Sequence, residues 1–300
     1  FINTTADIPI IGSIKESLPY SPDTLAIGIA PPGGGLPDEY RQYILDAIKE
    51  KMDIISGLHL FLSDDSAISE AAKKYNAKIF DVRRVPQNIP VGTNLAKNTK
   101  CIRLHTVGTD CNVGKMLVSY EIASAARKTG WDSKFVATGQ TGIMIEGDGI
   151  AVDRAISDFV SGVTEKMVLN NAHRELLVIE GQGTLIHPSY SGVTLGLLHG
   201  CAPDGLIMCH HAGRLHIGNY PEIKIPPITE MIKLYEHAAA FVNPVKVVAI
   251  ALNCVDYNTE KAQEEIDKIE KETGLPATDV VKFGCDKIIN VLEKLYTHRK

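Results

Sequence analysis

The sequence predicts the α/β class, with one small parallel-sheet domain followed by a larger one. Three observations carry that expectation. The chain has 300 residues, about two domains at ~150 residues each. Short β-branched runs alternate with helical patterns along it, and strands separated by single helices pair in parallel. A glycine-rich turn joins an apolar strand to an amphipathic helix near residue 108, the kind of junction where open α/β sheets place their ligands.

In the first domain, residues 9–14 and 24–29 read as strands. The second leads into the loop Ala30-Pro31-Pro32-Gly33-Gly34-Gly35-Leu36-Pro37. Asp38 is placed as the cap of a helix running to about Lys51, with Tyr40, Tyr43, Ile44, Ala47 and Ile48 on one face, both tyrosines read as core. Residues 53–56 form a third strand, 66–75 a second helix and 77–80 a fourth strand, so this domain spans residues 1–84. Residues 85–100 carry two prolines and three asparagines with little periodicity, and read as a linker.

The second domain covers residues 101–300. Its strands are expected at 101–107, 134–138, 176–180, 205–209, 245–252 and 280–283, with helices around 114–128, 148–169, 228–241, 259–273 and 285–296. Asp148, Asp153 and Asp158 then share one helix, and Asp153 has a slight claim to the site. The run 260–272 reads as a charged helix surface.

Composition excludes several classes. Lys+Arg is 31 against Asp+Glu at 36, a net charge of -5, so no basic excess exists to neutralise a run of phosphates and nucleic acid is not expected as the partner. The longest apolar stretch, residues 245–252 broken only by Lys246, falls far short of the ~20 residues a bilayer requires. No membrane association is expected. The six cysteines, Cys101, Cys111, Cys201, Cys209, Cys254 and Cys285, include no C-x-x-C pair. They read as reduced, mostly buried thiols of a cytoplasmic protein, and no signal peptide is read before them.

The strongest chemical signal is Gly108-Thr109-Asp110-Cys111-Asn112-Val113-Gly114-Lys115, read as a phosphate loop of the G-x-x-x-x-G-K-[ST] kind. Its glycines let successive N–H groups point inward, the helix N-terminus adds positive potential, and Lys115 brings a full charge. Met116 stands where the motif expects Ser or Thr. That hydroxyl normally ligates Mg²⁺, and a thioether is a poor ligand for so hard a cation. The anion cradle is expected to remain while the metal site loses a ligand.

A second signal is Glu180-Gly181-Gln182-Gly183 at the end of a buried strand. Glu180 is placed to hold a metal-bound water, to act as a general base, or merely to cap the next turn. His187-Pro188-Ser189-Tyr190-Ser191-Gly192 follows, rich in hydrogen-bond donors. The third signal is Cys209-His210-His211-Ala212-Gly213-Arg214. Adjacent residues on a strand point to opposite faces and rarely ligate one metal together. One imidazole acting as acid or base, with Arg214 as an anion clamp, is the better reading. Asn253, ending a strand, reads a base edge or forms a turn.

The phosphate loop together with Glu180–Gly183 resembles dethiobiotin synthetase and its relatives. Over nearly the whole chain the sequence more closely resembles a family long of unknown function. The resemblance lies in Gly28-Ile29-Ala30-Pro31-Pro32-Gly33-Gly34, Ser56-Gly57-Leu58-His59, the loop through Met116, Glu180-Gly181-Gln182-Gly183, His187-Pro188-x-Tyr190-Ser191-Gly192 and Leu195-Gly196-Leu197-Leu198-His199-Gly200. Met after the loop lysine is usual there. The resemblance implies a small Rossmann-like domain followed by a larger P-loop NTPase-like, dethiobiotin-synthetase-like α/β domain, and a further strand–turn–helix before Phe1. Members have been assigned as N-acetyltransferases of D-glutamate that use acetyl-CoA. Residues 9–13 and Ala30-Pro31-Pro32 also weakly resemble the CoA-binding domain of acyl-CoA ligases.

The first expectation is therefore an acyl-CoA-dependent N-acetyltransferase of a small acidic amino acid, D-glutamate being the case the resemblance implies, with acetyl-CoA as co-substrate. Lys115 and the Gly108–Gly114 amides would hold CoA phosphate, and Glu180, His187, His210 or His211 would be the base. Gln182, Tyr190, Ser191 and Arg214 would contact substrate. The second expectation is a Mg²⁺-ATP-dependent ligase or kinase, with Glu180 and Thr109 or Asp110 at the metal. The third is a nucleotide-binding protein without turnover. The expected partners are a small molecule and further copies of the chain.

Overall fold

The strands of the second unit's six-stranded sheet are buried on both faces, and that requirement organises the sheet. The structure, a computed structural model, describes residues 8–29 and 35–297, so residues 30–34 of the proline–glycine loop lie outside the described residues. The chain divides into Phe1–Val85 and Pro86–Lys300.

In the first unit, β1 (Thr24–Ile27), β2 (Asp53–Ser56) and β3 (Ile79–Asp81) pair in parallel in that order. After α1 (Ile14–Ser17), the helices α2 (Asp38–Lys49) and α3 (Ser66–Tyr75) bring Ile44, Ala47, Ile48, Ile68 and Ala72 into one core with Ile27 and Ile54. Residues 9–14, expected as a strand, are not one. Ser13 caps α1 by accepting from Glu16 N–H, while Glu16 accepts from Gly12 N–H at 3.0 Å, a reciprocal capping that commits the segment to a helical turn. Pro37, not Asp38, is the N-cap of α2, and Asp38 lies in its first turn, where its charge suits the helix dipole. Tyr43 is exposed rather than core, and meets Tyr40 edge-on at 6.3 Å.

In the second unit, six parallel strands run in the order β11-β10-β7-β4-β6-β5. They are β4 (Ile102–Gly108), β5 (Ser133–Val136), β6 (Leu176–Ile179), β7 (Gly205–His211), β10 (Val247–Asn253) and β11 (Ala277–Thr278). Leu104, Ile207, Cys209, Ala249 and Ala251 face α4 (Lys115–Lys128) and α10 (Asp286–Thr297). The alternate residues Val107, Leu206, Met208, Ile250 and Leu252 face α8 (Ile228–Ala240) and α9 (Thr259–Thr273). Leu177 and Ile179 pack beneath α6 (Val160–Asn170) and α7 (Ser191–Cys201). A parallel sheet covered on both faces reads as continuous apolar runs, and each valine, leucine, isoleucine or methionine so buried contributes about 1.5–3 kcal/mol.

Several elements differ from expectation. Residues 280–283 are a turn, held by the Asp279 carboxylate accepting from Val281 and Lys282 N–H. The 148–169 pattern is not one helix. Asp148 lies in a loop, Asp153 and Asp158 in separate short 3₁₀ turns, and only α6 is a regular α-helix there. Helix α7, α5 (Gln140–Glu146) and the antiparallel pair β8 (His216–Ile217) and β9 (Tyr220–Lys224) lie outside the expected elements. The expected linker is partly docked in the second unit: Glu165 on α6 accepts from Thr93 N–H at 2.7 Å and from Leu95 and Ala96 N–H. Among the described residues, no helix is long and apolar enough to cross a membrane.

Two buried polar side chains of β4 give stability predictions. Arg103, 1% exposed, donates to Asp204 Oδ1 at 2.8 Å and to the Ala202 carbonyl at 2.9 Å. Removing one partner strands a buried charge, so Asp204→Ala should destabilise the fold by about 3–5 kcal/mol, seen as a fall in the urea midpoint. His105 is buried in the same strand, and burial pushes its imidazole from 6.5 to about 4. Between those values the unfolded chain binds more protons, so this contribution is complete above pH 6.5 and is lost as pH falls toward 4. Unfolding free energy measured across that window should decline, with a shallower slope in His105→Gln.

Candidate active site

The end of β4 opens into the loop 109–114, from which α4 departs. Five residues, Thr109 to Val113, separate Gly108 from Gly114, one more than the plain G-x-x-x-x-G-K spacing. Thr109 N–H donates to the Cys209 carbonyl at 3.1 Å, holding the loop's start beside β7. Gly114 then turns the chain into α4 at φ 97°, a backbone region that disfavours any Cβ. Asn112 is also left-handed, at φ 52°. Val113 is buried in the core and Met116 packs against the same cluster. Apolar packing thus claims the position where a metal-binding hydroxyl was sought.

Asp110 shapes the loop. Its carboxylate is 1% exposed and accepts from Cys111 N–H at 2.6 Å, Gly218 N–H at 2.8 Å and Arg214 Nη1 at 3.0 Å. The same Nη1 donates to the Cys111 carbonyl at 2.8 Å. Arg214, expected to clamp a substrate anion, is therefore paired within the loop through that nitrogen. Lys115 is 6% exposed, donates to the Asp110 carbonyl at 2.7 Å and makes no ion pair among the described residues. Burial pushes its ammonium pKa down, against the pull of the surrounding thiols and carboxylates.

Glu180, at the end of β6, is buried, and one carboxylate oxygen accepts from Thr138 and Gly139 N–H at 2.8 and 3.1 Å. Burial pushes its pKa up, while those N–H groups and Lys115 pull it back. Gly181 follows where a Cβ would stand 1.7 Å from the Thr106 carbonyl, so no larger residue fits that crossing. Gln182 spends its amide N–H on the Thr138 carbonyl at 2.6 Å rather than on an open site.

His187 is buried, stacks on Tyr190 at 4.5 Å and meets Tyr220 edge-on at 5.2 Å. Ser189 N–H donates to its Nδ1, and burial pushes the ring's pKa down. One His187 nitrogen, the Cys111 sulfur and an Asp110 oxygen all lie within 4.8 Å of one another. Ser191 begins α7, its N–H bonded to the His187 carbonyl.

The neighbouring histidines go separate ways. His210 Nδ1 lies 2.8 Å from Thr109 Oγ1, and burial pushes its pKa to about 4. His211 Nε2 is 3.4 Å from Asp256 instead. Asn253 accepts from Val255 N–H, forming a turn, while its Nδ2 lies 3.9 Å from where a Cβ would stand on Gly114. A cavity of about 420 Å³ beside the loop is lined by Thr109, His210, Arg214, Pro226, Pro227 and Lys268, with other residues.

Sequence reasoning missed Tyr235. Its fully buried hydroxyl donates to the Gly108 carbonyl at 2.8 Å and accepts from Leu185 N–H at 3.2 Å, tying the loop's start to the segment after Glu180. Its spacing from Met231 and Ala239 is that of any helix core position, so the sequence carries no signal for this role. Tyr220 and Gly218 were missed because β8 and β9 are too short to show a period.

Chemically, the arrangement sets two cations, Lys115 and Arg214, around a loop whose buried carboxylate, thiol and imidazole lie close together. Two family descriptions match the chain: "Domain of unknown function (DUF1611_N) Rossmann-like domain" over residues 1–85, and "Domain of unknown function (DUF1611_C) P-loop domain" over residues 90–289. A protein named D-glutamate N-acetyltransferase from Pseudoalteromonas sp. is 37% identical over 278 residues, 92% of this chain and 83% of that protein. Another of the same name, from Tritonibacter scottomollicae, is 35% identical over 281 residues, 93% of this chain and 84% of that protein. The crystal structure of a DUF1611 family protein from Anabaena variabilis superposes with a TM-score of 0.92 at 43% identity, covering 96% of this chain and 84% of that one. This chain belongs to the DUF1611 family, whose Rossmann-like N-terminal domain precedes a P-loop domain.

Proposed function

We propose that the protein is an acetyl-CoA-dependent N-acetyltransferase of an acidic amino acid, D-glutamate first among the candidates. The observation that carries this reading is the buried Lys115 ammonium, bonded to one loop carbonyl and paired with no carboxylate. A cation so placed is expensive without an anion opposite it, and Lys115 stands in the first turn of α4, where the helix dipole adds positive potential. An acetyl donor brings anions of both kinds, its phosphates and the oxyanion that develops on its thioester. The names of the relatives supply the reaction class.

Acetyl transfer asks for a base near the acceptor amine and donors for the oxyanion. His187 fits the first role better than the other candidates. Its ring is held neutral by burial and stands at the loop's rim. Glu180 is bound by two backbone N–H groups, and His211 is turned toward Asp256. Of the two cations lining the neighbouring cavity, Lys268 is paired with Glu265 at 3.2 Å, so Arg214, whose Nη1 is held by Asp110, is the one left to meet an acceptor carboxylate. The Mg²⁺-ATP reading is the weaker one, because Met116 is packed into the core and offers no hard ligand.

Purified protein incubated with acetyl-CoA should release free CoA thiol when D-glutamate is added, and D- and L-amino acids should rank by rate. No release above background with any acidic amino acid would overturn the reading. Lys115→Ala removes one charge-assisted contact worth ~1.5–3 kcal/mol, so kcat/KM for acetyl-CoA should fall about ten- to a hundredfold. Its thermal midpoint should not fall, since no ion pair is lost.

A further inference from the structure

We propose that Cys111 is the nucleophile of this reaction and carries the acetyl group as an enzyme-bound thioester between donor and acceptor. The proposal rests on the acetyl-transfer reading above. Five of the six cysteines are buried, and Cys111 alone is partly open. It stands at the turn of the phosphate loop, where its sulfur, a ring nitrogen of His187 and a carboxylate oxygen of Asp110 lie within 4.8 Å of one another. A nucleophile and a base gathered in one place are the core of an activated thiol, and the Asp110 carboxylate beside them holds the loop through Cys111 N–H, Gly218 N–H and Arg214.

The same three side chains are also of metal-binding types, and the charges around them decide between the two uses. Arg214 donates to both the Asp110 carboxylate and the Cys111 carbonyl, and Lys115 donates to the Asp110 carbonyl. Two fixed cations therefore border the cluster. A metal ion would face both of them. A thiolate, and after it a tetrahedral oxyanion, would be stabilised by both, and by the N-terminus of α4 behind them.

Burial, joined by the Asp110 charge, holds the Cys111 thiol above its ordinary pKa against the opposing pull of Lys115 and Arg214, so it rests protonated and needs a base. His187, kept neutral by its surroundings, is that base. Its proton uptake replaces the Ser189 N–H contact if Nδ1 is the nitrogen used.

In the first half-reaction the thiol proton passes to His187 and the Cys111 sulfur attacks the acetyl carbonyl. The bond from carbonyl carbon to CoA sulfur breaks, and the CoA thiolate leaves with the proton from the imidazolium. In the second, the acceptor amine attacks the acetyl-enzyme as His187 takes its proton. The carbon–Cys111 bond breaks, and the thiolate recovers that proton. No redox partner or metal is required. One consequence separates this scheme from phosphate binding at the loop. The pantetheine arm keeps a donor's diphosphate well away from its thioester, so a donor whose acetyl group reaches Cys111 has its diphosphate outside the loop.

The test is to mix the full-length protein with acetyl-CoA alone, quench, and measure intact mass. The expected result is a gain of one acetyl group, mapped to the Cys111 peptide, removed by neutral hydroxylamine and discharged by D-glutamate. Initial-rate plots against both substrates should then be parallel. Cys111→Ala should form no adduct and lose thiol release by at least about a hundredfold. Cys111→Ser, nearly isosteric, should accumulate a hydroxylamine-stable ester. Turnover with intersecting plots and no adduct, or a Cys111→Ala variant that still turns over, would overturn the nucleophile while leaving acetyl transfer standing. Stoichiometric zinc that blocks alkylation of Cys111 would overturn it too. Absence of both adduct and thiol release in the unaltered protein would remove the acetyl-transfer reading itself.

Discussion

The Asp110 carboxylate is the constraint on which the rest of the site depends. It is almost fully buried, and an ionised carboxylate at that depth persists only if its lone pairs are taken up. The donors come from separate places in the chain: the loop itself through Cys111 N–H, Arg214 after β7, and Gly218 at the turn of the β8–β9 pair. One side chain thereby sets the curvature of the loop and fastens the β7–β9 segment to it. The direction in which Lys115 and Cys111 face follows from that curvature.

Glu180 shows why the two buried carboxylates do not exchange roles. Its partners are neutral backbone N–H groups at the start of α5, so its charge is held by dipoles rather than by a guanidinium. Burial raises its pKa. Lys115 lies near enough to feel both carboxylates yet pairs with neither. The loop therefore keeps most of its positive potential, in a setting where low dielectric magnifies it. A direct Lys115–Glu180 ion pair would have cancelled the feature that makes the concavity attractive to an anion.

Legibility in the sequence followed the length of each pattern. The parallel strands and α4, α8, α9 and α10 are long enough to show their period, and Gly114-Lys115 is legible because few residue types satisfy a left-handed cap beside an anion. Arg214 was legible as a cation near the site but not as the partner of Asp110, because it lies in the irregular segment between β7 and β8, which has no period to read. The stretch 148–169 misled because apolar residues recur there while its backbone breaks into short turns. Helix α7 is apolar along its length and packs against α6, β4 and α8, so no amphipathic stripe announced it. Tyr235 could not be foreseen at all, since its role lies in one hydroxyl at an ordinary core position.

The departures from the ordinary phosphate loop are physically related. Met116 gives the position after the lysine to the core, which removes the hydroxyl that would seat a hard cation. The extra residue between the glycines gives the loop room for Asp110 to reach Arg214 and Gly218 while Cys111 stays at the rim. A guanidinium bonded to the loop's own carbonyl and carboxylate adds a second fixed cation beside Lys115. A loop built to stabilise an anion without a metal gains from it directly. Under the proposed acetyl-transfer reading, Met116, the added residue and the Asp110–Arg214 pair act in one direction, favouring stabilisation of a developing negative charge over coordination of a hard cation.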